Sequence, residues 1–296
     1  MTLRLVYRLY GGENHKGRPS YYSKLTSLAS LLAAAVRAEV EVTTIADGPI
    51  PDDLRRMAES AGEVVDLPGG PVGMRASFWY GIRFPDLRNW SDDDVVYFCE
   101  DDYLHRADAV ERLYEAVQAM PQASYFALSA TTADFPAGPG FVEHEDWHPQ
   151  PDATVGDTRW VQIQSSTSTF AARVGALRAD RGIIRQGMFP YRNRLLDHEM
   201  CLVWQGRFPY TASELFLGPV ETRFRTGARE LVANSILTPF RIAYQLRALT
   251  RRRAPHLMFA PAPNLATHME SANLSPGTDW ASVAGDANRW ADESRA

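Results

Sequence analysis

The chain has 296 residues, 45% of them hydrophobic and 23% charged. That is the make-up of a globular protein able to bury a sizeable core, and it excludes disordered and fibrous folds. A formal net charge of −5 and a pI near 5.8 exclude a nucleic-acid binder that works through broad electrostatics. Cys99 and Cys201 lie too far apart in sequence for a disulfide framework or a cysteine zinc site, so a reducing, cytoplasmic setting is the default.

In chain order, residues 3–7 form a short apolar run that predicts a strand, followed by a loop rich in Gly, Asn, Lys and Arg and a helix over 22–37. Residues 1–10 lack the long apolar core of a signal peptide, and the apolar stretch 25–36 falls short of the roughly 20 residues needed to cross a bilayer. Residues 39–45 predict a second strand, closed by Ala46-Asp47-Gly48. Pro51-Asp52-Asp53 suits the first turn of a helix to residue 60, and Val64-Val65 a third strand. This β-α-β-α-β alternation predicts a mostly parallel, Rossmann-like sheet with covering helices.

A helix over 74–82 comes next, then a turn-rich stretch to 94 and the strand Val95-Val96-Tyr97-Phe98-Cys99, ending in Glu100-Asp101-Asp102. Helical periodicity returns over 108–120, and residues 125–129 suggest another strand. Residues 131–158, rich in Gly, Pro, Asp and His, predict a long loop of the kind that is often functional. Beyond it a strand is expected over 160–163, a helix over 169–180 and a second helix over 194–205 carrying Asp197-His198-Glu199. A basic amphipathic stretch follows over 228–253, and then a Pro-rich tail.

Ligands of open parallel sheets bind beyond the carboxyl ends of strands, where Glu100-Asp101-Asp102 falls. Three adjacent carboxylates repel one another unless solvent or a cation neutralises them, and oxygen ligands suit Mg²⁺ or Mn²⁺. The plainer reading is a solvated acidic turn. Asp92-Asp93-Asp94, at the opposite end of the same strand, reads as a plain turn.

An apolar strand ending in such a D-x-D-type triplet resembles the GT-A glycosyltransferases, especially inverting enzymes of the family 2 type. Asp47 stands where that family has an acidic residue recognising the nucleoside, residues 73–77 loosely match its Gly-x-x-x-Ala-Arg-Asn segment, and Asp197-His198-Glu199-Met200 is similar to its later acidic motif. The resemblance covers residues 3–205. It departs from the family at Leu196, where a Glu is usual, and at Glu100, where an Asp is usual. The base therefore stays open between Asp197 and Glu199, and Asp102 is the firmer metal ligand.

The resemblance implies a metal-dependent inverting glycosyltransferase that moves a sugar from a nucleotide-diphosphate donor to a hydroxyl acceptor: a glycan, a lipid-linked sugar or a small molecule. Asp197 would be the general base. Glu100, Asp102 and a C-terminal histidine, His268, would hold Mn²⁺ or Mg²⁺, the imidazole favouring manganese. Tyr7, Arg8, Tyr10, Asp47, Arg75 and Asp101 would line the donor pocket. The implied organisation is a catalytic domain over 1–227, with donor half 1–103 and acceptor half 104–227, and a basic helix and lid-like tail over 228–296.

His144 and His148 have the i, i+4 spacing of a helical zinc site, but the surrounding Gly and Pro favour a loop in which Trp147 offers a sugar-stacking face. Trp280 could serve likewise. Arg247, Arg251, Arg252 and Arg253, beside Leu246 and Leu249, form either an anionic-membrane contact at the inner face of the membrane or a solvated helix end.

Two alternatives remain. A sugar-phosphate nucleotidyltransferase would carry a Gly-rich basic loop after the first strand, which Gly11-Gly12 with Lys16 and Arg18 weakly imitates. A catalytically silent nucleotide-sugar-binding protein would keep the fold alone. Lys16 and Lys24 are the only lysines in an arginine-rich chain, a bias in keeping with genomic base composition.

Overall fold

The computed structural model describes residues 1–13, 16–130, 147–166, 169–188, 196–218 and 235–294. Contacts divide it into two units, residues 1–179 with 258–296, and residues 180–257. The boundary expected near Gly227 lies outside the described residues.

The first unit is built on a nine-stranded mixed sheet. Its parallel half comprises β1 (Leu3–Tyr10), β2 (Val42–Asp47), β3 (Val64–Asp66) and β4 (Val95–Glu100), in the order β3-β2-β1-β4. These strands read as near-continuous apolar runs because helices cover a parallel sheet on both faces. The covering helices are α1 (Lys24–Arg37), α2 (Asp52–Ala61), α3 (Met74–Leu87) and α4 (Ala109–Ala119). Ser23 caps α1, accepting from the Thr26 amide. The third helix runs five residues past the expected 82 and takes in Pro85.

Beyond β4 the sheet continues through β9 (Phe170–Arg173), β6 (Ala123–Phe126), β10 (Leu257–Ala262), β8 (Thr158–Gln162) and β7 (Ala153–Val155). Residues 170–173, expected in the first turns of a helix over 169–180, instead form β9, an antiparallel strand between β4 and β6. Phe170, Ala171 and Ala172 are buried on both faces of the sheet there, and that burial overrides the helical preference of alanine. The helix α5 (Val174–Gly187) begins only after it. The tail expected as irregular contributes β10 to this sheet, β11 (Ala266–His268) and helix α9 (Trp280–Glu293). Strand β11 pairs antiparallel with β5 (Tyr103–His105), just after the acidic triplet.

His105 is buried on β5 and bonds Tyr97 Oη through Nε2 at 2.8 Å. Burial pushes its imidazole down to about 3. The unfolded chain protonates near 6.5, so the contribution of the neutral ring is complete above that value and is lost as pH falls toward 3. Wild-type stability to urea should drop by up to about 1.4 kcal/mol per pH unit in this window from this group. His105→Gln should flatten that slope when urea midpoints are compared between pH 7 and pH 4.5.

The second unit contains the end of α5, α6 (Asp197–Trp204), α7 (Ala212–Leu217) and α8 (Thr238–Arg251). Thr211 and Glu214 form a capping box on α7. Tyr244 Oη donates to the Ile183 carbonyl at 2.9 Å, and Gln245 Nε2 to that of Tyr210 at 2.7 Å, seating α8 on its own unit.

Candidate donor and metal site

The ends of β1 and β4, the loop after β1 and strand β11 converge on the acidic triplet, and each carboxylate has its own cationic partners. Glu100 pairs with Arg8, whose buried guanidinium also donates to the Met74 carbonyl and to Ser77 Oγ, both at 3.3 Å. Asp101 accepts from the Tyr10 amide at 2.9 Å and from Lys24 Nζ at 2.7 Å. Asp102 Oδ2 accepts from Arg18 Nη2 at 3.0 Å and lies 2.9 Å from His268 Nε2, with Lys16 Nζ at 3.7 Å. The neutralising charge that the triplet requires is thus supplied largely by the chain.

Their acidities diverge. Burial raises Glu100 and Asp101 above the ordinary carboxylate range, despite Arg8 and Lys24. Burial also pushes Asp102 up, but hydrogen bonding from His268 and Arg18 and the Lys16 charge outweigh it, holding that carboxyl well below the usual range. Asp102 is therefore the strongest fixed anion of the three.

The other oxygen of Asp102, Oδ1, is buried with no hydrogen-bond partner. An orphaned carboxylate oxygen fits a divalent cation, and the adjacent imidazole would add a nitrogen ligand on giving up the hydrogen bond of Nε2 to Oδ2, a donor set that favours Mn²⁺ over Mg²⁺. Among the described residues no three His, Cys, Asp or Glu side chains cluster as a metal site. A cation held by this pair would need its remaining ligands from outside the described residues.

His268 is positioned by the register of β11, which sets it opposite Tyr103, and its ring stacks on that tyrosine with centroids 5.2 Å apart. The Met269 amide donates to the Asp102 carbonyl at 2.8 Å, tying the end of β11 to the triplet. Arg18 is fixed by a 2.7 Å bond to the Met269 carbonyl and by its guanidinium lying over the Tyr22 ring at 4.3 Å.

Other expected site residues are placed differently. Tyr7, expected in the donor pocket, is fully buried and donates to Ser27 Oγ at 3.2 Å; on β1 it faces α1, so it is a core side chain. Tyr10 is exposed, with Lys24 Nζ 5.2 Å from its ring centre. Asp47 is buried at the end of β2 and accepts from the Val72 and Gly73 amides at 2.6 and 3.0 Å, holding the loop that leads into α3. Arg75 stands half-buried in the first turn of α3.

Trp280, expected to stack on sugar, is buried against Leu104, Met269 and Ala284, and its indole donates to the Ser275 carbonyl at 2.6 Å. An α9 that packs on α1 explains this burial. Asp94 departs from a plain turn: it is buried and accepts from the Thr2 amide and Arg4. Glu143, His144, Glu145 and Asp146 lie outside the described residues. Asp197 opens α6 in the second unit, its Oδ1 accepting from the His198 amide at 3.1 Å, and Glu199 is buried on the same helix.

Lys24 was missed by the site expectations, while Lys16 and Arg18 entered them only as a weak phosphate loop. The available signal was compositional: the only two lysines of the chain both reach the triplet.

With this geometry in hand, the strand order β3-β2-β1-β4 with an antiparallel β9 beyond, and an acidic triplet closing β4, identify the architecture. The fold is GT-A in type. No family model and no curated protein sequence matches the chain. Among solved structures, it is similar to TarS 1–349 of S. aureus, with 13% identity over 69% of this chain and 56% of that one and a TM-score of 0.42. Another is glucosyl-3-phosphoglycerate synthase from Mycobacterium tuberculosis in complex with Mn²⁺ and UDP-glucose, at 15% identity over 43% of this chain and 42% of that one, TM-score 0.30. A third is 4-diphosphocytidyl-2C-methyl-D-erythritol synthase from Anaerococcus prevotii, at 10% identity over 80% of this chain and 98% of that one, TM-score 0.37. The chain spans about half the length of the TarS structure it matches.

Proposed function

We propose that the protein is a glycosyltransferase that takes a sugar from a nucleotide diphosphate and passes it, with inversion, to a hydroxyl acceptor. The observation that supports this best is the meeting of Asp102 and His268, 166 residues apart in sequence, at 2.9 Å with an orphaned carboxylate oxygen beside them. Asp102 and His268 would hold a Mn²⁺ or Mg²⁺ ion, which when bound offsets charge developing on the leaving diphosphate. Glu100 and Asp101 keep Arg8 and Lys24 in place, and through them the ends of β1 and α3 that border the donor. Asp197, at the start of α6, is proposed as the base that takes the acceptor hydroxyl proton. The unit 1–179 with 258–296 is proposed as the donor-binding part.

The test is to incubate the protein with Mn²⁺ and a panel of UDP-, GDP- and dTDP-sugars and follow nucleotide release. Turnover of at least one donor is expected, and Asp197→Asn should slow transfer by about 10²–10⁴-fold while leaving donor affinity within twofold. A folded protein inert toward every donor would overturn the reading.

A second reading is favoured by Lys16 and Arg18, which follow β1 and reach Asp102 as a nucleotidyltransferase phosphate loop would. Release of pyrophosphate from a nucleoside triphosphate and a sugar phosphate would decide for it. Peripheral membrane contact is proposed through α8. Ile242, Leu246 and Leu249 are exposed on it, the helix carries no acidic residue, and Arg251, Arg252 and Arg253 end it. No helix among the described residues is long and apolar enough to cross a membrane.

A further inference from the structure

The chain has 31 lysine and arginine residues, of which only Lys16 and Lys24 are lysines, and both ammonium groups lie against the acidic triplet. They are held in opposite ways. Lys24 is buried, and its three N–H groups meet three acceptors: the Tyr10 carbonyl at 2.5 Å, the Gly12 carbonyl at 2.6 Å and Asp101 Oδ2 at 2.7 Å. Every donor it has is spent.

Lys16 has no comparable bonds. Its Nζ lies 3.4 Å from His268 Nε2, 3.7 Å from Asp102 Oδ2 and 3.8 Å from Glu270 Oε2, all beyond the 2.7–3.2 Å of a well-formed hydrogen bond. The field of two carboxylates holds it, its side chain is 39% exposed, and Asp102 Oδ2 is already served by Arg18 and His268. No bond shorter than 3.4 Å has to break for this ammonium to move. Arg8, Arg18 and Lys24 are largely buried and pinned by directed bonds, so among the described cations at the triplet Lys16 is the exposed one that no short bond holds.

We propose that Lys16 is a ligand for the diphosphate of the nucleotide, turning its ammonium from Asp102 and Glu270 to a phosphate oxygen when the donor arrives. The proposal rests on the nucleotide-diphosphate reading above and adds a residue to it. A compact charge on a flexible four-carbon stem suits this exchange, which a planar guanidinium locked in a fork would resist. A β-carbon at Gly17, next in the chain, would meet nothing within 4 Å, so that side of the backbone beside Lys16 is open, while the Gly17 carbonyl accepts from the Ser271 amide at 2.9 Å.

The test measures affinities of UDP, GDP, inorganic pyrophosphate and uridine for the wild type, Lys16→Ala and Lys16→Arg, in Mn²⁺ and again in EDTA. Lys16→Ala should weaken pyrophosphate and the nucleotide that binds best by tenfold or more in both buffers. Lys16→Arg should regain part of the loss, uridine binding should not change, and both variants should melt within about 2 °C of wild type, as surface substitutions do. Equal affinity of wild type and Lys16→Ala for the diphosphates in either buffer overturns the proposal while leaving the nucleotide reading intact, as does an equal loss of uridine. A wild type that binds none of the phosphates overturns both.

Discussion

Lys24→Met is expected to cost about 3–5 kcal/mol of stability, because it leaves the Asp101 carboxylate buried without its counter-ion. The ammonium also holds the Tyr10 and Gly12 carbonyls, so the loop after β1 loses its anchor in the same step. Gly11 in that loop sits so close to the Pro49 carbonyl that a β-carbon there would clash, so the loop has little room to find another seat. Lys24→Arg should recover little, since the cage is shaped for a compact ammonium.

The pH dependence of this variant has a definite sign. Burial already lifts Asp101 above its ordinary value, so the folded protein binds a proton more readily than the unfolded chain does. Stability from this group is therefore greatest below the unfolded value and falls as pH rises through the folded one. Removing Lys24 lifts Asp101 further, so the deficit should be smaller at pH 5 than at pH 8. The double variant Lys24→Met/Asp101→Asn should regain most of the loss. Urea unfolding of the three proteins at both pH values measures this; a double variant no more stable than the single one would show that the pair is not the cause.

The second large effect concerns Asp102. Asp102→Asn should reduce transfer by at least about 10²–10³-fold, the usual loss when one preorganised electrostatic contact to a developing charge is removed. The Mn²⁺-dependent part of diphosphate binding should vanish with it. Because His268 shares the same carboxylate, His268→Ala in the Asp102→Asn background should add little, whereas in the wild type it should cost nearly as much. Mn²⁺ alone should bind weakly to the wild type and tightly only with a nucleoside diphosphate, since the proposed protein ligands number two. Isothermal titration with metal, nucleotide and both together reads all of these; independent, additive losses at Asp102 and His268 would separate them into two sites.

The parallel half of the sheet was legible because its strands carry a strong local signal. Residues 3–7, 39–45, 64–65 and 95–99 are apolar runs separated by helical periodicity, and β1 to β4 fall on or near them. Strand β9 was illegible because Phe170-Ala171-Ala172 has no strand preference of its own; two neighbouring strands impose its conformation. The same reason hid β10 and α9 in a Pro-rich tail.

At the site, Asp102 and His268 could be named from motif order, but three adjacent acids say nothing about which cation each meets. That depends on how residues 8, 18 and 24 fold over the strand ends. Trp280 shows the reverse failure: an aromatic in a polar tail suggests a ligand face until the helix that carries it buries it.

The pairing of β11 with β5 also has a consequence for biosynthesis. The acidic triplet leaves the ribosome more than 160 residues before His268 does, and β10 completes the sheet from the same late segment. For most of its synthesis the nascent chain therefore exposes a sheet with a missing inner strand and an acidic end with no imidazole. Contacts of such sequence separation form late and slowly. On the proposed function, donor turnover should therefore begin only after residues 257–268 have docked.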